Sequence, residues 1–414
     1  MLNRLRSTLR QTFHALRTRN FRLFFIGQSI SNTGNWLTNV ALILLILHLT
    51  HSGFAIGLLA ACQYGPILLL SIYAGVIADR YSKRKLLFLT QGLEMLESIA
   101  LAVLAFTHNP PISAFYVIAT FGGILLAFDN PLRRSFVSEM VPKTDIPNAV
   151  ILYSTIVNVA RIIGPPLAGV LIVVFGYGWA FSVDALSYLA VLVCLWMMRP
   201  SELHLAPLKL RTKGEIRKGF KYILSMPVLW ITFIMLALVG GLAYNFTITL
   251  PLFVTKSLHG SNADFTLLYS FFGFGSLVSA LFIANRGLVK MRHVIIGAVS
   301  VGVTMIVLTF CPSLTLAIPI VFLLGLATIL YMTATTTIMQ VESEPSMIGR
   351  VLALQAVLFI GLTPIVGPFL GWIADTLGAR IPIFIGGFAC LVAGMFGYMT
   401  SKKFKNFGKS EEAT

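Results

Sequence analysis

Along most of this chain apolar residues run on without a polar interruption for twenty positions or more, rather than alternating as in a half-buried strand. Marking these runs predicts twelve helices, over residues 21–48, 53–78, 86–107, 112–132, 148–175, 179–198, 228–256, 263–284, 293–311, 314–339, 347–374 and 381–400. A helix rises 1.5 Å per residue, so about 20 residues cross a hydrocarbon layer of roughly 30 Å. Barrel strands need only ~10 residues and would alternate. The pattern therefore predicts an all-α integral membrane protein with twelve transmembrane helices. The runs longer than 25 residues imply tilt or projection beyond the bilayer.

Composition agrees and narrows the field. Of 414 residues, 57% are hydrophobic and 11% charged, against about 25% charged in a soluble domain. That excludes a soluble enzyme and a disordered chain. The net charge of +16 reads as topology rather than affinity for nucleic acid. Of the 31 Lys and Arg residues, all but Arg161, Lys256 and Arg380 fall in the termini and loops on one side. The positive-inside rule places that side, with both termini, in the cytoplasm. For a bacterial chain the compartment is the inner membrane. Cys62, Cys194, Cys311 and Cys390 lie in apolar runs and read as small buried hydrophobes.

The division of the chain follows from its polar segments. An amphipathic stretch over 1–20 carries Leu2, Leu5, Leu9, Phe13 and Leu16 on one stripe. A six-helix bundle over 21–199 follows, then a linker over 200–226, a second bundle over 227–400 and a tail over 401–414. The linker holds a second amphipathic stretch, Ile216, Phe220, Ile223 and Leu224 beside Arg217, Lys218 and Lys221. Both stretches are expected to lie on membrane lipid. The halves resemble each other. Asp79 and Arg80 precede Asn285 and Arg286 by 206 residues, Gly164 and Pro165 precede Gly367 and Pro368 by 203, and half the chain is 207. Duplicated halves mark secondary transporters.

The loop after the second run, Gly75, Asp79, Arg80, Lys83 and Arg84, resembles the G-x-x-x-D-R-x-x-[RK]-[RK] loop of the major facilitator superfamily. The fifth run holds Arg161, Gly164, Pro165, Pro166 and Gly169, similar to that superfamily's antiporter and exporter motif. Further matches are Phe21 and Arg22, Gly34 to Trp36, Asp129 to Pro131, Pro147 to Ala149, Asn158 to Arg161, and Gly349 to Val351. Together they resemble the exporter branch that includes enterobactin exporters and macrolide-type efflux pumps, over residues 15–400. Two departures stand out. Asn285 replaces the expected Asp, and the fourth run lacks the intramembrane Arg of many drug:proton antiporters.

The resemblance implies two pseudo-symmetric bundles and a cavity lined by the first, fourth, seventh and tenth helices. It implies gating by Gly75, Asp79, Arg80, Arg84 and Asp129, where Arg80 or Arg84 pairs with Asp129 as a cytoplasmic latch. Gly164, Pro165 and Gly169 are expected to let helices of the two halves touch. From the residues themselves, Gln28, Asn32, Asn35 and Asn39 recur at i, i+4, i+7 and i+11. They form one polar face beside Ser31 and Trp36, and lipid would penalise four carboxamides. Tyr244, Asn245 and Thr249 in the seventh run, with Thr328, Tyr331 and Thr335 in the tenth, complete a neutral, aromatic candidate cavity.

Charge inside the runs is scarce. Arg161 is expected to bind an anionic substrate or to bias a titrating carboxylate. The alternative is a structural ion pair, which the similar depth of Glu97 allows. Glu94, Glu97 and Asp184 are the candidate proton carriers, although Asp184 and Asp375, near helix ends, also read as water-facing caps. Gly408, Lys409 and Ser410 lack the upstream Gly of a P-loop, since position 403 is Lys. No histidine set suggests a metal, and no cofactor is implied.

These readings describe a non-enzymatic, monomeric exporter that exchanges a small amphipathic molecule, a siderophore or hydrophobic drug, for protons by alternating access. Lipid or lysolipid movement, uptake, and a non-transporting sensor or scaffold are the alternatives.

Overall fold

The computed structural model describes residues 13–204, 215–283, 290–344 and 347–411. Twelve helices among them are long and apolar enough to cross a membrane. The first six are α1 Arg19–Thr50, α2 Gly53–Arg80, α3 Lys83–Phe106, α4 Ile112–Val137, α5 Ile146–Phe175 and α6 Tyr177–Met197. The next six spans are α7 Pro227–Ser257, α8 Asn262–Ile283, α9 Met291–Thr309, α10 Leu314–Val341, α11 Ile348–Thr376 and α12 from Arg380. An eleven-residue helix, Glu215–Ser225, precedes α7. The residues 1–12 of the first amphipathic stretch, and Asn285 and Arg286 of the second loop copy, lie outside the described residues.

Three spans depart from a plain rod. The helix expected over 112–132 continues through Val137, and the added turn carries Arg133 and Arg134. α7 is interrupted at Tyr244 and Asn245, with π-helical turns at Val239–Ala243 and Phe253–Ser257. α11 breaks at Leu362, just ahead of Pro364, where proline suits the start of a new helical segment.

The chain forms two compact units. Residues 1–45 and 65–211 make one; residues 46–64 and 212–414 make the other. In the first, a core at the start of α1 joins Phe21 and Phe24 to Leu132, Phe136 and Met140 of α4 and its exit, Leu152 of α5, and Leu195 of α6. Phe24 meets Phe136 edge-on at 6.0 Å. Two hydrogen bonds tie the start of α1 to the end of α6. Asn20 Nδ2 donates to Arg199 O at 2.9 Å, and Arg199 N donates to Asn20 Oδ1 at 3.0 Å.

The second unit contains the end of α1 and the start of α2 as well as α7–α12. Here close helix contact is made through small residues, the route open to a bundle that gains little hydrophobic free energy in lipid. Gly53 and Gly57 of α2 face Gly371 and Gly367 of α11. A Cβ at Gly57 would strike the Gly367 carbonyl and the Pro368 backbone. Both helices thus carry the small-xxx-small spacing. Asp375 finishes the contact: its carboxylate accepts from Ser52 Oγ at 2.7 Å, Gly53 N at 2.6 Å and Phe54 N at 3.0 Å. It also pairs with Lys256 at 2.6 Å. The expected water-facing cap is therefore an N-terminal cap for α2.

Candidate functional site

The polar interior of the first unit is built around Arg133, which lies just past the expected end of the fourth run. Arg133 is only 4% exposed, while its neighbour Arg134 is exposed. Successive residues lie about 100° apart on a helix, so one added turn sends one arginine inward and the next outward. Arg133 Nη1 donates to Gln28 Oε1 of α1 at 3.0 Å, and Nη2 to Glu94 Oε2 of α3 at 3.1 Å. Nε pairs with Asp129, one turn earlier on α4. Asp129 Oδ1 accepts from Thr90 Oγ1 and Gln91 Nε2, both at 2.9 Å, and Gln91 Nε2 also donates to Glu94 Oε2 at 2.7 Å. α4 thus carries a buried arginine near its C-terminal end. The i, i+4 spacing of Asp129 and Arg133 was the available signal.

A second buried carboxylate lies farther along α1, α3 and α6. Asp184 has no exposed surface. It accepts from Thr38 Oγ1 at 2.6 Å, Ser98 Oγ at 2.9 Å and Ser187 Oγ at 3.1 Å. Gly34 makes room for it, since a Cβ there would collide with Asp184 and Ser187. The water-facing cap expected at this position is corrected to an interior carboxylate held by three hydroxyls. One turn on, Tyr188 OH donates to Asn35 Oδ1 at 2.6 Å. Glu97 lies between the two clusters on α3, with its carboxylate against Gly122 of α4.

These contacts divide the polar face of α1. Gln28 and Asn35 join α1 to α4 and α6, so they are structural partners in the unit's interior. Asn32 Nδ2 donates to Gln28 O at 2.7 Å. Trp36 and Asn39 remain half-buried. Trp36 receives Arg161 of α5, whose guanidinium carbon is 5.8 Å from the ring centroid. The alternative Arg161–Glu97 pair does not form, and no acidic side chain among the described residues pairs with Arg161. Gly164 sets this arrangement: its missing Cβ would fall on Trp36 Cβ, and it lies 3.5 Å from Thr33 O. Gly164 therefore seats α5 on α1 within one unit. Pro165 and Gly169 are buried on the same helix.

Of the two alternatives for the latch, the Arg84–Asp129 pair does not form. Asp129 takes Arg133, and Arg84 instead donates from Nε to Leu195 O at 2.9 Å and from Nη2 to Trp196 O at 3.2 Å. It thereby supplies charge to carbonyls at the end of α6. Lys83 pairs with Glu139, just beyond α4. The surroundings of Gly75 and the side chains of Asp79 and Arg80 are not among those described.

In the second unit, the candidate cavity residues of α7 and α10 turn toward helix contacts. Tyr244 OH donates to Thr328 O at 2.7 Å, and its ring meets Phe359 at 4.6 Å. Asn245 is buried at the α7 interruption and donates to Gly241 O at 2.7 Å. Tyr331 is fully buried, with its backbone against Gly297 of α9, and Thr335 is buried one turn on. Asn245, Tyr331 and Thr335, candidates for the cavity lining, are all buried. No group of His, Cys, Asp and Glu among the described residues is arranged to hold a metal.

The sequence matches the family described as transmembrane secretion effector over residues 10–411. It is 27% identical over 394 residues to a staphyloferrin A transporter of Staphylococcus aureus, covering 93% of this chain and 97% of that one. It is 23% identical over 387 residues to the enterobactin exporter of Citrobacter koseri, covering 91% and 90%. The fold resembles an inward-facing bacterial homologue of the human lysosomal transporter Spinster, with TM-score 0.71 at 15% identity and 94% and 98% coverage. It also resembles a POT family transporter in complex with a thioalcohol-conjugated peptide, with TM-score 0.76 at 14% identity and 93% and 96% coverage.

Proposed function

The chain belongs to the transmembrane secretion effector family of the major facilitator superfamily, a family of transporters rather than enzymes, and from that premise we propose that this multi-pass membrane protein is a proton-coupled exporter. Its cargo is a small amphipathic molecule, a siderophore or hydrophobic drug, moved by alternating access. In this reading the bundles over 21–199 and 227–400 are joined by the linker over 200–226, with both termini in the cytoplasm and the chain in a bacterial inner membrane. The siderophore relatives favour that cargo.

The observation that carries the proton reading is the charge count in the first unit. Glu94, Asp129 and Asp184 are buried, and among the described residues one buried cation, Arg133, lies with them; half-buried Glu97 and Arg161 do not pair. An ionised group in hydrocarbon costs at least about 2.5–3.5 kcal/mol on insertion scales. Bound protons neutralise the excess. Asp184 and Glu94 then act as carriers, and Gln28, Asn35 and Thr38 relay the change to α1. A membrane potential of roughly 150 mV supplies about 3.5 kcal/mol per proton. That sustains a gradient of a few hundredfold for a neutral solute exchanged for one proton.

Flux into proteoliposomes under imposed pH gradients tests this, with siderophores, macrolides, dyes and lysophospholipids as separate arms. Uphill movement of a siderophore or drug supports the reading. Movement of lysophospholipid alone would replace it with lipid transport, and no proton dependence would remove the antiport step.

A further inference from the structure

We infer that the helix Glu215–Ser225 is a strap that binds anionic phospholipid on one face and holds the start of α11 on the other. This lies apart from cargo and proton coupling and stands or falls without them. The seat on the protein comes first. Gly219 is buried, and a Cβ there would lie 3.1 Å from Arg350 Cβ and 3.2 Å from Leu354 Cδ1, both in the opening turns of α11. Ile223, one turn on, is 1% exposed. Tyr222 OH accepts from Glu344 N at 2.9 Å, just past the end of α10. Residues at i and i+4 share a helix face. The stretch expected to lie on lipid therefore gives the Gly219 and Ile223 face to protein.

The other face carries apolar and basic side chains together. Phe220 and Leu224, again one turn apart, are 47% and 58% exposed, and Lys218 and Lys221 are exposed beside them. The Phe220 ring meets Phe233, in the second turn of α7, at 6.4 Å. The helix thus lies where that span enters the bilayer, with its apolar pair beside acyl chains and its lysines at the level of the headgroups. α12 runs next to α7 here, where Phe396 meets Trp230 at 6.0 Å. It adds exposed Lys402, whose ammonium is 6.0 Å from the Tyr398 ring, and α9 opens with exposed Lys290 and Arg292. Against these cations the described side chains at this end offer two acids, half-buried Glu342 and exposed Glu344. Charges that only fix topology need no exposed aromatic beside them once the chain is inserted. A soluble acidic partner would leave Phe220 and Leu224 in water. A phosphodiester headgroup on acyl chains answers both halves of the face: the lysines meet the phosphate and the apolar pair meets the chains. Zwitterionic lipid brings its own ammonium to the same lysines and is bound less well. Each basic residue near an anionic surface is worth roughly fivefold in affinity.

Amide hydrogen exchange on the full chain in vesicles tests this, with phosphatidylglycerol and phosphatidylcholine compared. Exchange across residues 218–225 should be slower in phosphatidylglycerol by roughly fivefold or more. Residues 348–354 should slow with it, since Arg350 and Leu354 form the seat. Lys218→Gln combined with Lys221→Gln should bring both ratios close to one, and Phe220→Ser should lower them. Lys143→Gln, an exposed basic position of the first unit, should leave them unchanged. Glycerol 3-phosphate added to phosphatidylcholine vesicles should have no effect. Equal exchange in the two lipids, a response that survives in the double lysine variant, or one lost as fully in Lys143→Gln would overturn the inference. So would a response reproduced by glycerol 3-phosphate, which would mark a soluble phosphate site. Slowing in the strap that leaves 348–354 unchanged would overturn the hold on α11.

Discussion

Arg133 shows how much can turn on one helical step. It joins α1, α3 and α4 through Gln28, Glu94 and Asp129. Removing a partner from a buried ion network leaves the rest uncompensated, at a cost of about 3–5 kcal/mol. Arg133→Gln should therefore lower the detergent unfolding midpoint sharply, and Glu94→Gln, which relieves excess negative charge, should leave the midpoint unchanged or raise it. Equal, small shifts for both would show that the network is not a structural hub. Asp184→Asn should fold normally, because an amide still accepts from Thr38 and Ser98, and should retain downhill but lose uphill transport. Wild-type uphill flux in this variant would remove Asp184 as a carrier. At this scale the sequence revealed scarce charges but not their partners. Arg133 and Arg134 read together as a loop because both are basic, and burial separates them only once the helix is known to continue past Pro131. Likewise, the spacing of Gln28, Asn32, Asn35 and Asn39 shows that they share a side of α1. It does not show that Gln28 meets α4 or that Asn35 meets α6.

At the scale of elements, the glycines mark where backbones touch. Gly57 and Gly371 bring α2 and α11 into contact, and Asp375 caps α2 at the same end. Gly57→Leu should destabilise the protein by about 1–3 kcal/mol through overpacking, and Gly65→Leu, which meets no atom within 4 Å, should be tolerated. Similar melting of both would contradict the close contact. Gly164→Leu should displace Arg161 from Trp36 and alter indole fluorescence; an unchanged spectrum would argue against that seat. The twelve spans were legible because hydrocarbon demands long unbroken apolar runs. The interruption of α7 at Tyr244 and Asn245 was not, because no proline or charge marks it. The Gly-Pro motif of α5 was legible as a packing device, but its partner, Trp36 of the same unit, depends on a tertiary contact that spacing does not encode.

For the whole molecule, the central claim is that proton binding in the first unit drives solute outward. Buried carboxylates outnumber buried cations among its described residues, and the same α1 carries both Gln28 and Thr38, partners of that interior, and the Trp36 that receives Arg161. The most direct measurement is solute flux in proteoliposomes holding wild-type protein or Asp184→Asn, with a pH gradient imposed in either direction and the potential clamped. The account predicts that wild-type protein accumulates a siderophore or drug against its gradient only when protons flow the opposite way, and that the variant equilibrates the solute without accumulating it. Accumulation that is indifferent to the pH gradient, or equal in wild type and variant, would contradict it.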